Sequence, residues 1–224
     1  MVESFTRMVY PGGMPDASSL PAKPLWFDPV HRGEPRAFSL GHIHSARARY
    51  LSDPAAYEAE YHPGQRWLCG FALPPFQRPI VWDEPRMVRF VESAASGLDI
   101  GEWVYVDAIN APMDMVDGRE VTNRVDRWLI DGQQRLTALD RFWADAFPVP
   151  GATGRGMFWS EVPQVEKRRF LNRVFAAKEL RITDEATLRR YYDLHNFGGV
   201  AHTEDQRATR DDDAGTEPSA PGMR

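Results

Sequence analysis

A run of polar side chains occupies residues 131–135, which read Asp-Gly-Gln-Gln-Arg. The pattern before this run predicts a strand at 127–130, and the pattern after it predicts a helix at about 134–146. The first N–H groups of a helix have no partner inside the helix, and together with the helix dipole they attract anions. The spacing therefore predicts an anion site at a strand–turn–helix junction.

The residues of the run suit an anionic ligand, such as a phosphate or carboxylate, for different reasons. Gly132 allows close approach of the backbone, and Arg135 offers a planar fork for an anion. Gln133 and Gln134 both donate and accept hydrogen bonds, and Asp131 suits a metal ion or a water molecule. A polar turn between a strand and a helix is also common where no ligand binds, so the spacing alone leaves both interpretations open.

A second candidate pair, Gln77 and Arg78, follows a predicted strand at 67–73. Taken alone, the pair is best explained as two polar residues on the protein surface, with no role in a site. Combined with the later run, it predicts a second wall of one pocket. Two arginines from separate loops suit a triphosphate, whose transfer needs charge stabilisation more than covalent chemistry.

A third candidate segment begins at Asn196, after a predicted helix at 184–195. Gly198 in this segment is typical of a helix C-terminus, or it allows a loop to approach a nucleotide. Thr203 is predicted to cap a short helix that carries Glu204. An exposed first-turn carboxylate explains Glu204 better than a Mg²⁺ ligand does.

The remaining periodicity predicts helices and strands in mixed order. Asp83, Pro85 and Gly97 are typical of the start and end of a helix, and Asp117-Gly118 is typical of a hairpin turn. We predict helices at 45–61, 84–96, 161–177 and 184–195, and strands at 67–73, 103–109, 113–116 and 119–125. Residues 1–40 are predicted to be a loose arm, 41–207 the folded domain, and 208–224 a disordered acidic tail.

Composition narrows the classes of protein. The chain has 224 residues and a net charge of −5, so nothing global attracts it to nucleic acid. It contains no apolar run of bilayer length and its first residues lack the apolar core of a signal peptide, which predicts a cytoplasmic protein with no membrane contact. The single cysteine, Cys69, is expected in the core, within an apolar strand. His42 and His44 lack a clear third ligand and make a poor metal site.

Residues 131–135, followed by Leu-Thr-Ala-Leu, resemble the DGQQR signature of the GmrSD-type restriction N-terminal domain family. Segments at 74–82, 99–101 and 192–204 are similar to further blocks of that family, in the same order. The resemblance spans about residues 66–208. It implies an α+β domain in which a small mixed sheet with flanking helices forms a ParB/sulfiredoxin-like core.

The resemblance also implies a nucleotide-binding, NTP-hydrolysing module of modification-dependent restriction or phage defence, with Mg²⁺ as cofactor. Arg78 and Arg135 are expected to hold phosphates, and Asp131 to position Mg²⁺ or the attacking water. The glutamines would orient that water or the base, and Asn196 with Thr203 would close the far side. The expected catalytic residues are Asp131, Gln133, Gln134 and Arg135; the expected ligand-binding residues are Gln77, Arg78, Gly132, Asn196, Gly198 and Thr203.

Two departures from related proteins limit this hypothesis. Sulfiredoxins carry a catalytic cysteine in the corresponding turn, where this chain has Gln133 and Gln134, so sulfiredoxin chemistry is not expected. The His-Asn-His nuclease half of GmrSD-type enzymes is also expected to be absent, so that DNA would be reached only indirectly, through a separate nuclease subunit. The alternatives are a ParB-like DNA nuclease and a non-catalytic nucleotide sensor that regulates a partner.

Overall fold

The computed structural model describes residues 33–61, 63–151 and 153–197, and its centre is a mixed sheet of four strands. In chain order these strands are β1 (Glu34–Ser39), β4 (Glu102–Val106), β7 (Leu129–Asp131) and β10 (Val174–Leu180). Their order across the sheet is β1-β10-β4-β7; β10 and β4 are parallel, and the other two pairs are antiparallel. The predicted α+β class with a small mixed sheet is confirmed.

Helices flank the sheet and short hairpins join the larger elements. The helices are α1 (Leu40–Ser52), α2 (Pro54–Glu60), α3 (Glu84–Ser96), α4 (Gln133–Trp143), α5 (Gln164–Leu171) and α6 (Glu185–Phe197). The hairpin strands are β2 (Arg66–Leu68), β3 (Phe71–Leu73), β5 (Asp114–Val116), β6 (Arg119–Val121), β8 (Val149–Pro150) and β9 (Gly156–Met157).

Several boundaries follow from local signals that were readable in the sequence. The Asp83 side chain accepts a hydrogen bond from the Arg86 N–H and so caps α3, which ends at Gly97 with φ 80°. Asp117 and Gly118 have φ 50° and 76° and join β5 to β6, as the hairpin signal predicts. These elements confirm the predicted caps and turn.

Two predicted segments break at turns. The predicted helix at 45–61 is two helices, because Pro54 cannot continue α1 and Asp53 instead caps α2. The predicted strand at 67–73 is the hairpin β2–β3, which turns at Cys69 and Gly70 with φ 51° and 79°. Cys69 is buried as expected, but it lies in the turn and not in a strand.

The largest error concerns the predicted helix at 161–177. The helix α5 ends at Leu171, and residues from Val174 onward form β10, which pairs with β1 on one side and β4 on the other. Pairing with distant strands outweighs the local helical pattern here. The predicted arm at 1–40 also ends too late, because β1 starts at Glu34 and pairs with β10 along its length. The arm's first 32 residues and the tail at 208–224 lie outside the described residues.

A charged network crosses β1, β10 and β4 around the buried Glu179, whose side chain is 5% exposed. Arg36 donates two hydrogen bonds of 2.7 Å to this carboxylate, Tyr105 donates one of 2.9 Å and Arg181 one of 3.0 Å. The hydrogen bonds from Arg36 lower the pKa of Glu179 most; burial opposes them, and Tyr105 and Arg181 add to the lowering, which brings the pKa to about 2. The network therefore stabilises the fold only while Glu179 is ionised.

Replacing Glu179 with Gln should lower the free energy of unfolding at pH 7 by about 2 kcal/mol or more, because charge-assisted hydrogen bonds are lost. The folded pKa of Glu179 is depressed, so its contribution is complete above the unfolded pKa and disappears as the pH falls towards 2. The gap between wild type and variant should shrink in urea unfolding from pH 7 to pH 3. Glu102→Gln, in the half-exposed pair with Lys178, is the control and should show a small effect. A gap that stays constant across this pH range would contradict the assignment.

Candidate functional site

A cleft of about 200 Å³ opens where α4 begins, and it collects most of the predicted site residues. Eight of the ten predicted residues line it: Gln77, Arg78, Asp131, Gly132, Gln133, Gln134, Arg135 and Asn196. Gly198 and Thr203 lie outside the described residues. Trp82 and Arg86 complete the lining, and neither was predicted as a site residue.

The floor of the cleft is the start of α4. β7 ends at Asp131, Gly132 is the N-cap with φ 99°, and α4 begins at the next residue. Within the described part of the chain, no side chain accepts a hydrogen bond from the first turn of this helix. Its N–H groups therefore face the cleft without a protein cap, as an anion site requires.

Gly132 is required here by packing as well as by its backbone angle. A Cβ at this position would lie 2.5 Å from the Cβ of Trp103, which is fully buried on β4. The glycine therefore lets the strand–helix turn approach the sheet closely. This finding adds a structural reason to the predicted role of Gly132, close approach to a ligand.

Replacing Gly132 with Ala should destabilise the fold by about 2–5 kcal/mol, because left-handed backbone strain and a clash with a rigid side chain combine. Gly118→Ala is the matched control: it shares a positive φ of 76°, but a Cβ there meets nothing within 4 Å. The control should cost only about 1 kcal/mol. Equal losses for the two variants in chemical denaturation would show that the contact with Trp103 is unimportant.

Asp131 is held by the Arg135 guanidinium and the His195 imidazole rather than left free. Arg135 Nη2 lies 2.9 Å from Asp131 Oδ2, and His195 Nε2, on the last turns of α6, lies 3.5 Å from the same oxygen. Burial by itself raises the pKa of Asp131, but the hydrogen bond from His195, the charge of Arg135 and the Gly132 N–H together outweigh it and lower the pKa. Asp131 is thus a stable carboxylate and a weak base. His195 was not predicted as a site residue; its place one residue before Asn196 was the available signal.

Replacing His195 with Ala should raise the pKa of Asp131, because a hydrogen-bond donor to its carboxylate is lost. The measurement is the pH titration of the Asp131 carboxyl carbon by NMR. His195→Gln is the matched variant, since its amide retains a donor and should raise the pKa less. An unchanged titration in His195→Ala would show that Arg135 and Gly132 hold the carboxylate without help from α6.

Arg135 is largely packed, with a side chain that is 20% exposed. Its guanidinium carbon lies 5.9 Å from the centroid of the Phe175 ring, and Nη1 lies so close to Gly101 that a Cβ there would be 2.6 Å away. Its positive charge is paired with the Asp131 carboxylate. The guanidinium therefore reaches the cleft already oriented and partly neutralised.

The two glutamines next to each other play different structural parts. The Gln134 side-chain oxygen accepts hydrogen bonds from the N–H groups of Val81 and Trp82 at 3.0 and 3.1 Å, and its amide donates to the Pro79 carbonyl at 3.1 Å. Gln134 thus holds the 79–82 segment against α4. Gln133 is 5% exposed, and its Oε1 has no hydrogen-bond partner among the described residues. This oxygen is a buried acceptor beside the cleft that needs a donor.

Gln77 connects three elements at the edge of the sheet. Its amide donates to the carbonyls of Leu129 and Ile130 on β7, at 2.9 and 3.4 Å, and its oxygen accepts a hydrogen bond of 3.2 Å from the Tyr192 hydroxyl on α6. On α6, the Asn196 amide donates to the Tyr192 carbonyl at 2.9 Å. Gln77 therefore links the 74–78 loop to both β7 and α6.

Arg78 and Arg86 carry the less compensated positive charge of the cleft. Among the described residues, neither forms an ion pair, in contrast to Arg135. The guanidinium carbon of Arg86 lies 4.9 Å from the centroid of the Trp82 ring. Arg86 was missed because an arginine in the first turn of a helix is ordinarily a surface residue; its position one turn after Trp82 was the only signal.

Metal ligands are sparse in this part of the molecule. Across the described ranges, no three His, Cys, Asp or Glu side chains come close enough together to hold a metal ion. His44 packs against the rings of Trp143 and Trp159, and burial lowers its pKa. Asp131 is the one carboxylate among the described residues that line the cleft, and it is already engaged.

The family model described as "GmrSD restriction endonuclease, N-terminal domain" matches residues 61–214. The match covers more than half of the chain and includes every predicted site residue. No curated protein and no solved structure matches the chain, and the expected relation to ParB and sulfiredoxin stays a prediction. None of the described helices is both long and apolar enough to cross a bilayer.

Proposed function

Because the chain belongs to the GmrSD restriction endonuclease N-terminal domain family, a family of restriction and phage defence, we propose that its cleft binds a nucleoside triphosphate. The observation that carries this proposal is the uncapped start of α4, which faces a cleft whose described lining has three guanidinium groups and a single carboxylate. Free N–H groups, a helix dipole and arginines together favour the multiply charged phosphates of a nucleotide.

In this proposal the phosphates lie over Gly132 and the first turn of α4, with Arg78 as their main cationic partner. Arg135 contributes a hydrogen-bond donor whose direction Asp131 fixes. The cleft volume of about 200 Å³ is smaller than that of a typical ligand pocket, so part of the nucleotide lies in the open mouth. Asn196 forms part of the opposite rim.

We further propose that the bound nucleotide is hydrolysed. A water molecule attacks the γ-phosphorus, the bond from this phosphorus to the bridging oxygen breaks, and the water's proton passes to a phosphate oxygen. Asp131 accepts a hydrogen bond from the water and orients it. A lowered pKa makes Asp131 a poor base, but phosphoryl transfer depends more on positioning and charge stabilisation than on proton removal. Mg²⁺, held by the phosphates themselves, would supply positive charge against the charge that develops on them.

A non-catalytic sensor is the second candidate, and the two contacts at Asp131 favour it. A carboxylate already engaged by Arg135 and His195 has less freedom to orient water. In that case the nucleotide would bind without turnover and regulate a partner, such as a separate nuclease subunit that acts on DNA.

The test is phosphate release from each of the four ribonucleoside triphosphates with Mg²⁺, with and without plasmid DNA, together with binding by calorimetry. Replacing Arg78 with Ala should weaken nucleotide binding by roughly 10- to 100-fold, because a charge-assisted contact is lost. Arg89→Ala is the control, since Arg89 is an exposed arginine of α3 that does not line the cleft. It should leave affinity unchanged.

The outcomes separate the candidates. Turnover that falls in Arg78→Ala supports the hydrolase, and binding without turnover supports the sensor. Nicking of the plasmid by this chain alone would support the nuclease alternative. Absence of nucleotide binding by the wild type, or equal affinity in the Arg78 variant, would overturn the proposal.

A further inference from the structure

One wall of the cleft lies outside the phosphate contacts proposed above. It consists of the Trp82 ring and the Arg86 guanidinium, whose carbon lies 4.9 Å from the ring centroid. Trp82 is half-buried, and Arg86 is exposed and forms no ion pair in the described part of the chain. The guanidinium lies over the ring, and such a stack of a cation on an aromatic ring presents flat faces on which another aromatic ring stacks favourably.

The wall is fixed in place by contacts on its far side. The Trp82 ring packs edge to face on Phe90, with centroids 5.7 Å apart, and the Trp82 N–H is held by Gln134. The Arg86 N–H donates to the Asp83 cap at 3.0 Å. The Trp82 ring is therefore positioned before any ligand arrives, which reduces the entropy lost on binding.

The position of the wall relative to the phosphate site suits a nucleotide. Gln134 belongs to the first turn of α4, and its side-chain oxygen accepts a hydrogen bond of 3.1 Å from the main-chain N–H of Trp82. The segment that carries the wall therefore lies against the uncapped end of the helix. A ligand with its phosphates over that helix end would extend its other half along the wall.

The buried Gln133 Oε1 is an independent indication of what that half contains. This acceptor lacks a partner among the described residues and is 5% exposed, so a bound ligand should supply a hydrogen-bond donor. A nucleoside has sugar hydroxyls and base amino or imino groups to donate, whereas a fully ionised polyphosphate has none. A nucleoside therefore suits this acceptor better than a bare polyphosphate does.

We propose that Trp82 and Arg86 form the subsite for the nucleobase, which stacks on them while Gln133 accepts a hydrogen bond from the nucleoside. This inference rests on the proposed function, because it takes the phosphate site as the other half of the cleft. Stacking reads the flat face of a base and not its pattern of donors and acceptors, so the subsite accepts all four bases.

The experiment compares two probes, ATP and inorganic tripolyphosphate, by calorimetry with Mg²⁺ on the full chain. Replacing Trp82 with Leu keeps an apolar contact with Phe90 but removes the stacking ring; it should weaken ATP binding by roughly 5- to 100-fold and leave tripolyphosphate affinity unchanged. Trp82→Phe keeps a ring and should retain most of the ATP affinity. Trp67→Leu is the matched control, since Trp67 is also half-buried but lies in an aromatic cluster with Tyr50 and Tyr61, outside the cleft.

Each outcome decides the inference. Selective loss of ATP affinity in Trp82→Leu, with retention in Trp82→Phe, establishes the base subsite. Equal loss of both probes would show that Trp82 only supports the neighbouring segment, and no loss of either would show that the base lies elsewhere; both results overturn the inference while the phosphate site stands. A wild type that binds neither probe would overturn the proposed function itself, and the inference with it.

Discussion

The turn from β7 into α4 is the constraint on which the rest of the molecule depends. The chain must leave a strand and enter a helix within one residue while it lies against the buried Trp103. Only a residue without a Cβ fits both the backbone angle and the space at Gly132. This connection places Asp131 at the last position of β7 and both glutamines, Gln133 and Gln134, at the start of α4. The cleft exists because this turn is tight.

The charges of the cleft divide into two kinds as a result. Asp131 and Arg135 are four residues apart at the start of α4, so their opposite charges form an ion pair that belongs to the local fold. Arg78 and Arg86 come from the segments that face the turn, and they have no carboxylate partner among the described residues. The cleft thus keeps an unbalanced positive charge although the whole chain is acidic. Local arrangement, and not net charge, sets which ligands this surface attracts.

The sequence predicted the elements whose signals are local and missed those that depend on distant partners. Caps at Asp83 and Gly97 and the turn at Asp117-Gly118 carry their own chemistry, and the structure has them in place. The strand β10 has no such signal: it follows a helix after two residues, and only pairing with β1 and β4 defines it. The site shows the same division. The residues of the 131–135 run were identified from their types. Arg86 lines the cleft and His195 contacts Asp131 because of how α3 and α6 pack, and that packing depends on distant parts of the chain.

The contacts of Gln134 restrict which amino acid can occupy that position. Its side chain must accept from two backbone N–H groups and donate to one carbonyl at the same time. A glutamate has the same length but would place a second oxygen against the Pro79 carbonyl, and an apolar residue would leave three main-chain groups without partners. The amide at this position therefore completes the hydrogen bonding of an irregular segment, as a neighbouring strand would in a sheet. Gln134 lies within a run of residues that looks catalytic, but the main-chain groups that it binds are enough to require a glutamine there. A glutamine at this position in another chain would therefore indicate the same local structure, and not by itself the same chemistry.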